Sequence, residues 1–258
     1  MRQSFECAVL DAHGKVAVLT LNHDATVNAL SQAMVESLNA ALDAVDKGGF
    51  RALVLTGAGR GFCSGADMKE LPARRLEGAG LVLERLFHPL FRRLRDLPMP
   101  IVTAVNGPAV GIGMSLALMG DLIVAARSSY FLLSFTHIGL VPDGGATFLL
   151  PRLIGLARAR ELALLAEKLS AERALDWGLV NRVVDDTQLM NEAIALAQRL
   201  ADGPAALPLT RQLFWEEKGY EAQIAREACA QQQAGATDDF AEGLAAFLEK
   251  REPNFSGK

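Results

Sequence analysis

A chain of 258 residues, 50% of them hydrophobic, carries enough apolar side chain to bury a sizeable core, which excludes a disordered polypeptide. Its 26 basic and 30 acidic residues give a formal net charge of -4. No Lys/Arg-rich run tracks a phosphate backbone, so nucleic acid is not expected as a partner.

The cysteines, Cys7, Cys63 and Cys229, are odd in number and widely spaced, which fits a reducing, cytoplasmic compartment better than a disulfide framework or a zinc site. The N-terminus lacks the continuous apolar core of a signal peptide, and no uninterrupted apolar segment reaches bilayer length, so no membrane is expected.

In chain order, ECAVLD and KVAVLTL flank Ala12-His13-Gly14 and predict an antiparallel hairpin. Ser31 opens a helix in which Met34, Val35, Leu38, Ala41, Leu42 and Val45 recur at helical spacing, with Gly48-Gly49 as its stop. The strand RALVLTG, the loop GAGRGFCSGAD and a helical LVLERLFHPLFRRLRDL ended by Pro98 and Pro100 follow. Then come the strand PIVTAVNG, a glycine-rich loop running into a buried helix in GPAVGIGMSLALMGD, and the strand DLIVAA. Beyond Pro151 the pattern turns helical: RARELALLAEKL, SAERALDWG with Ser170 as cap and Gly178 as stop, MNEAIALAQRLADG, and AREACAQQQAGATDDFAEGLAAFLEKR. The expectation is an α/β core over residues 1–198 and a helical C-terminal region over 199–258.

The loops GAGRGFCSGADM and NGPAVGIGMSL each place glycines between an apolar strand and a helix. Such junctions let backbone approach a ligand, and N–H groups contributed by two loops would form an oxyanion hole. Gly57, Gly59 and Gly61 are spaced G-x-G-x-G, not the G-x-G-x-x-G of a dinucleotide site. Cys63 and Ser64 lie outside G-x-S-x-G, and a loop cysteine without a base reads as inert. His13, His23, His88 and His137 show no metal-ligand spacing. His13 reads as a turn residue, His88 as a helix-surface one, and His137 as a satisfied strand or loop residue in preference to a pocket one. Asp143, set in GLVPDGGATFLL, is out of place among apolar neighbours. It is either the cap of the following helix or an acid kept for chemistry.

Taken together, NHDATVNALS, LVLTGAGRGFCSGADMKE, PIVTAVNGPAVGIGMSLALMGDLIVAA, FTHIGLVPDGGATFLLPRLIG, LSAERALDWGLVNRVV and AFLEKREPNF resemble the enoyl-CoA hydratase/isomerase (crotonase) superfamily from about Val16 to Lys258. Within it, VPDGGATFLLPRLIG with LSAERALDWGL is most similar to ring-1,2-epoxyphenylacetyl-CoA isomerases and Δ3,Δ2-enoyl-CoA isomerases. The resemblance implies an α/β spiral of ββα repeats and a helical C-terminal trimerisation region giving a homotrimer or a dimer of trimers. It also implies an acyl-CoA thioester substrate, with no cofactor beyond its coenzyme A moiety and no metal. Oxyanion donors would be the N–H groups of Ala66 and Ile112. Ser64, Ala66, Asp67, Met68 and Lys250 would approach coenzyme A, with Lys69 and Lys258 as further candidates, while Asp67 also reads as a residue that fixes its loop.

At the positions of a family hydratase's two glutamates stand Ser115 and Phe135. Neither activates water nor delivers a proton, so ordinary hydration is not expected. A single carboxylate suffices to move a double bond, and Asp143 is the candidate. An isomerase is therefore expected, ahead of a hydratase or thioester hydrolase and of a non-catalytic acyl-CoA-binding subunit. Residues 70–95 are expected to set acyl specificity.

Overall fold

The computed structural model describes residues 2–67, 69–70, 79–215 and 237–258. The anticipated hairpin is β2 (Ala8–His13) against β3 (Val16–Leu21), with β1 (Arg2–Ser4) antiparallel to β2 at the edge. α1 (Gln32–Lys47) opens on Ser31, whose hydroxyl accepts the Met34 N–H at 3.1 Å, one of the donors a helix start leaves unpaired. β4 (Ala52–Gly57), β5 (Ile101–Val105), β7 (Leu122–Ala126) and β10 (Arg182–Val184) then add in parallel to β3, completing a sheet in the order β1-β2-β3-β4-β5-β7-β10.

These parallel strands read as unbroken apolar runs because both faces are covered. Leu53, Leu55, Ile101 and Val105 face a core formed with α1 and α2 (His88–Asp96). Ala52, Val54, Val102 and Ala104 face the opposite way, against Leu189, Ala193, Leu196 and Ala197 of α6 (Leu189–Ala201). The boundary expected between 198 and 199 falls inside α6.

A second, small sheet was not anticipated: β6 (Ala109–Val110), β8 (Tyr130–Leu132) and β9 (Leu169–Ser170). Between its strands run α3 (Ile112–Ala117) and α4 (Ala146–Leu165). α4 starts before Pro151, the point from which the sequence predicts helix, and a non-helical Gly155 divides it. The expected helix before Pro98 is interrupted by a π-helical stretch, Leu83–Phe87, in which the His88 N–H donates to Leu83. Pro89 explains this, since it has no N–H to continue the i→i−4 ladder. α5 (Ala171–Trp177) has the predicted Ser170 cap and Gly178 stop. Among the described residues no helix is long and apolar enough to cross a membrane. Of the helix expected over 225–251, Cys229 and the other residues up to 236 lie outside the described residues, and Asp238–Glu249 is helical.

α7 (Ala206–Trp215) is tied down by Arg211, which is 5% exposed. Its guanidinium donates to Leu94 O at 2.9 Å, to Leu97 O at 3.0 Å and to Arg95 O, and pairs with Asp121 at 2.7 Å. The last carbonyls of α2, which have no intrahelical donor, are thereby satisfied. Burial raises the Asp121 pKa, opposed by the Arg211 charge and by the Ile101 N–H. Arg211→Ala removes the countercharge of a partly exposed carboxylate and leaves three carbonyls without this donor, and is expected to cost about 2–4 kcal/mol in chemical denaturation. A loss below about 1 kcal/mol would contradict this role.

Candidate functional site

The first loop leaves the end of β4 and is held by Asn28, a buried residue with φ of +58°. Its amide donates to Ala58 O and Gly61 O, each at 2.9 Å, and its carbonyl accepts the His23 N–H at 2.8 Å. Asn106 adds a bond to Gly59 O at 3.1 Å. Ser64 donates its hydroxyl to Thr26 O at 2.7 Å, and the Asp67 carboxylate accepts the Lys69 N–H at 2.9 Å. Ser64 and Asp67 therefore shape the loop from within.

The second loop enters α3 through Gly111, φ +54°. Here the loops meet backbone to backbone: a Cβ on Gly65 would lie 3.0 Å from Val110 O and 4.0 Å from Gly111 Cα. Only glycine allows that approach at Gly65, where φ is +104°.

The next residue in each loop is the anticipated donor. Leu30 bonds to both neighbours of Ala66, donating its N–H to Gly65 O at 2.7 Å and accepting the Asp67 N–H at 3.4 Å, so the Ala66 N–H points the other way, as a parallel bridge requires. Ile112 heads α3, where the first N–H groups have no carbonyl of their own helix to use.

One turn along α3 from Ile112, fully buried Ser115 donates its hydroxyl to Asp143 O at 2.8 Å. Gly144, φ +59°, then crosses so close that a Cβ on it would lie 2.7 Å from Ser115 Cβ and 3.0 Å from the Phe91 ring. Asp143 itself is half-buried, and its buried Oδ1 has no hydrogen-bond partner among the described residues. Burial alone pushes its pKa up to about 7. The capping reading fails: Gly145, not Asp143, precedes α4, and no side chain caps that helix.

Cys63 packs against Gly113 of α3, and burial drives its thiol pKa to about 12, so it is inert as a nucleophile. His137 is exposed and does not join the site. His88 corrects the surface reading. It is half-buried and lines a cleft of about 400 Å³ together with Phe91, Met119, Gly144, Phe148 and Trp215. Of residues 70–95, His88, Phe91, Arg92 and Arg95 therefore border a cavity adjoining the Asp143 loop. Lys250 and Lys258 are exposed. The C-terminal tail carrying Lys258 packs on Arg51, beside the start of β4, whereas the glycine loops leave the opposite ends of β4 and β5. Met68 lies outside the described residues. Asn28 and His88 were not identified as site-forming from sequence, although Asn28 lies in one of the segments that carry the resemblance; Ser115 was identified only as standing where a family hydratase has a glutamate, not as a partner of Asp143.

The fold and the paired glycine loops define a class that the family comparison confirms: the chain belongs to the enoyl-CoA hydratase/isomerase family, whose model matches residues 11–258. It is an enzyme of that family, acting on CoA thioesters. Among individual relatives, it is 44% identical over 250 residues to the 1,2-epoxyphenylacetyl-CoA isomerase of Escherichia coli, covering 94% of this chain and 95% of that one. It is 33% identical to the short-chain-enoyl-CoA hydratase of Clostridium acetobutylicum, covering 94% and 95%. The solved enoyl-CoA hydratase of Bacillus anthracis superposes with a TM-score of 0.92 at 32% identity, covering 98% of this chain and 100% of that one.

An aspartate with its folded pKa near 7 is stabilised as the acid, so its contribution is fully present below the unfolded value near 3.9 and lost as pH rises through 7. Asp143→Asn, always neutral, is expected to match wild type near pH 4 and to exceed it at pH 8, by at most about 4 kcal/mol. Urea denaturation across that range checks this; a difference independent of pH would refute the desolvated carboxylate.

Proposed function

We propose that this protein is an acyl-CoA isomerase that moves a double bond, or rearranges a ring epoxide, of a CoA thioester, with Asp143 as its acid/base. The observation that carries the reading is a half-buried carboxylate whose Oδ1 has no partner among the described residues, its pKa pushed up to about 7 by burial, on a segment bonded to the short helix that Ile112 heads. A base with a pKa near the working pH combines the ionised form with useful basicity.

In the proposed reaction the thioester carbonyl sits in an oxyanion hole formed by the Ala66 and Ile112 N–H groups. Asp143 takes a proton from the α carbon of a β,γ-unsaturated thioester. The C–H electron pair becomes a double bond between Cα and the carbonyl carbon as the carbonyl π pair moves onto oxygen, giving a dienolate whose negative oxygen the two N–H groups stabilise and whose Cα=Cβ bond forms when the carbonyl is restored in the next step. Protonated Asp143 then returns the proton at the γ carbon, leaving the conjugated thioester. No water adds to the product, and the only cofactor chemistry is that of the substrate's own coenzyme A.

The coenzyme A portion is assigned to the 64–69 segment. Since Lys258 lies at the far end of the strands from the glycine loops within its own chain, contacts from the C-terminal lysines, Lys250 included, are assigned to a neighbouring subunit. The proposed assembly is a homotrimer or a dimer of trimers, and the exposure of Leu164 at 70% and Phe214 at 84% supplies large apolar side chains that a subunit contact would cover. Sedimentation velocity is expected to give a species of three or six chains; a monomer at micromolar concentration would refute it. The free, buried thiols of Cys7 and Cys63 support a reducing cytoplasmic setting.

The hydratase alternative draws on relatives such as the Clostridium enzyme, and the expected result is hydration of crotonyl-CoA much slower than isomerisation. The decisive measurement is conversion of a 3-enoyl-CoA to its 2-enoyl isomer. Wild type is expected to show kcat/KM rising with pH through about 7, as the base ionises. Asp143→Asn, folded and still binding thioester, is expected to lose at least about a hundredfold. Equal rates in the two proteins would overturn the assignment, and tight thioester binding without turnover of any substrate would leave a binding subunit instead.

A further inference from the structure

Ser115 takes no part in the chemistry just described, yet it is fully buried and makes one polar contact of consequence, its donation to Asp143 O at 2.8 Å. We infer that Ser115 is a positioning residue: its hydroxyl bond and its close contact with Gly144 fix the carboxylate of Asp143 relative to the oxyanion donor at the head of the same helix. The inference rests on the assignment of Asp143 as acid/base.

Three features of the geometry carry it. First, Asp143 has no bond through its buried Oδ1, so its side chain is not held by hydrogen bonding at that atom and its place depends on the backbone that bears it. Second, that backbone is held from both sides of the residue. The Asp143 carbonyl takes the Ser115 hydroxyl and also the Ala146 N–H at 3.1 Å, while Gly144 lies against Ser115 Cβ and the Phe91 ring with no room for a side chain of its own. Third, Ser115 and Ile112 are three residues apart on α3, and residues at that spacing share a helix face. The donor and the acid are therefore referenced to one rigid turn of helix, whose other residues, Gly113, Met114, Leu116 and Ala117, are all buried.

The size of residue 115 matters as much as its hydroxyl. Serine contributes one heavy atom beyond Cβ, and Gly144 packs so closely that a Cβ on it would lie 2.7 Å from Ser115 Cβ. A glutamate at 115 is therefore expected to press on the 143–145 segment and to disturb the placement of Asp143.

Among the described residues, the titratable and charged groups around the segment are His88, Arg92 and Arg95 on α2, bordering the cleft, Arg152 over the Phe148 ring of α4, and exposed His137 in the turn before it. No charge contributes to the raised pKa of Asp143, which comes from burial alone. Loosening the segment admits water, and the pKa then falls towards the ordinary carboxylate value.

The test is Ser115→Ala in the 3-enoyl-CoA assay, alone and combined with Asp143→Asn, with a carboxyl-carbon NMR titration of Asp143. Ser115→Ala is expected to lower kcat about 10- to 100-fold with KM within about threefold, because the thioester-binding N–H groups are untouched. The Asp143 titration and the acid limb of the pH profile are expected to move to lower pH together. In the Asp143→Asn background the same change is expected to have little further effect, since the group it positions is gone. Ser115→Glu is expected to lose isomerisation without gaining crotonyl-CoA hydration, with circular dichroism and thioester binding reporting that it folds. Unchanged kcat, an unmoved Asp143 titration, or an equal loss in both backgrounds overturns the inference while leaving Asp143 as base. If Asp143→Asn alone retains full activity, the underlying assignment has failed instead, and the NMR titration of Ser115→Ala still decides whether Ser115 controls the environment of Asp143.

Discussion

The site depends on backbone packing against α3 with almost no side chain between. Gly65 lies on Val110 and Gly111, Gly113 on Cys63, and Gly144 on Ser115. Added Cβ atoms at these glycines would fall 2.5–3.0 Å from the nearest atoms, distances that real Cβ atoms essentially do not adopt. The first two contacts seat the first glycine loop at the head of the six-residue helix, and the third seats the 143–145 segment one turn further along it. The proposed donors at the head of the helix and the Asp143 segment are thus both referenced to α3, with no side-chain hydrogen bond to Asp143 Oδ1 among the described residues. Rigid close packing replaces a hydrogen-bond network that would have used up the donors.

Three buried or half-buried aspartates show what this leaves for chemistry. Asp121 lies against Arg211 and accepts the Ile101 N–H. Asp239 accepts N–H groups from Ala205, Ser256 and Gly257, which hold its pKa low against the burial that would raise it. Both carboxylates are compensated and join distant segments, the expected pattern for structural charges. Asp143 has burial without a partner at Oδ1. An uncompensated carboxylate is costly to the fold, and that separates it from the other two as the candidate for function.

Much of this was legible from residue pattern. The double-covered strands read as apolar runs, Ser31 and Ser170 marked helix starts, and glycines after β4 and β5 marked the loops. Asp143 stood out because a charge inside an apolar run needs a reason. What escaped depended on contacts distant in sequence. Strands of two or three residues in the small sheet have no periodicity to detect. Asn28 owes its role to φ +58° and to carbonyls 30 and 33 residues away, and Arg211 to acceptors over 110 residues away. His88 was assigned to a helix surface by spacing alone, but the π turn forced by Pro89 and the packing of α2 against Gly144 bring it to the cleft.

The serine at 115 and the aspartate at 143 are best understood as a single choice. A carboxylate at 115 would ride on α3, whereas one at 143 rides on a segment packed on α3 so closely that a Cβ on Gly144 would lie 2.7 Å from Ser115 Cβ. Two carboxylates on separate supports could divide water activation from proton delivery, as hydration requires. One carboxylate must take and return the same proton, which limits the reaction to those that conserve it. If Asp143 is the acid/base of the proposed isomerisation, its placement on α3 depends on how tightly one glycine packs on one serine, before any contact with substrate is considered.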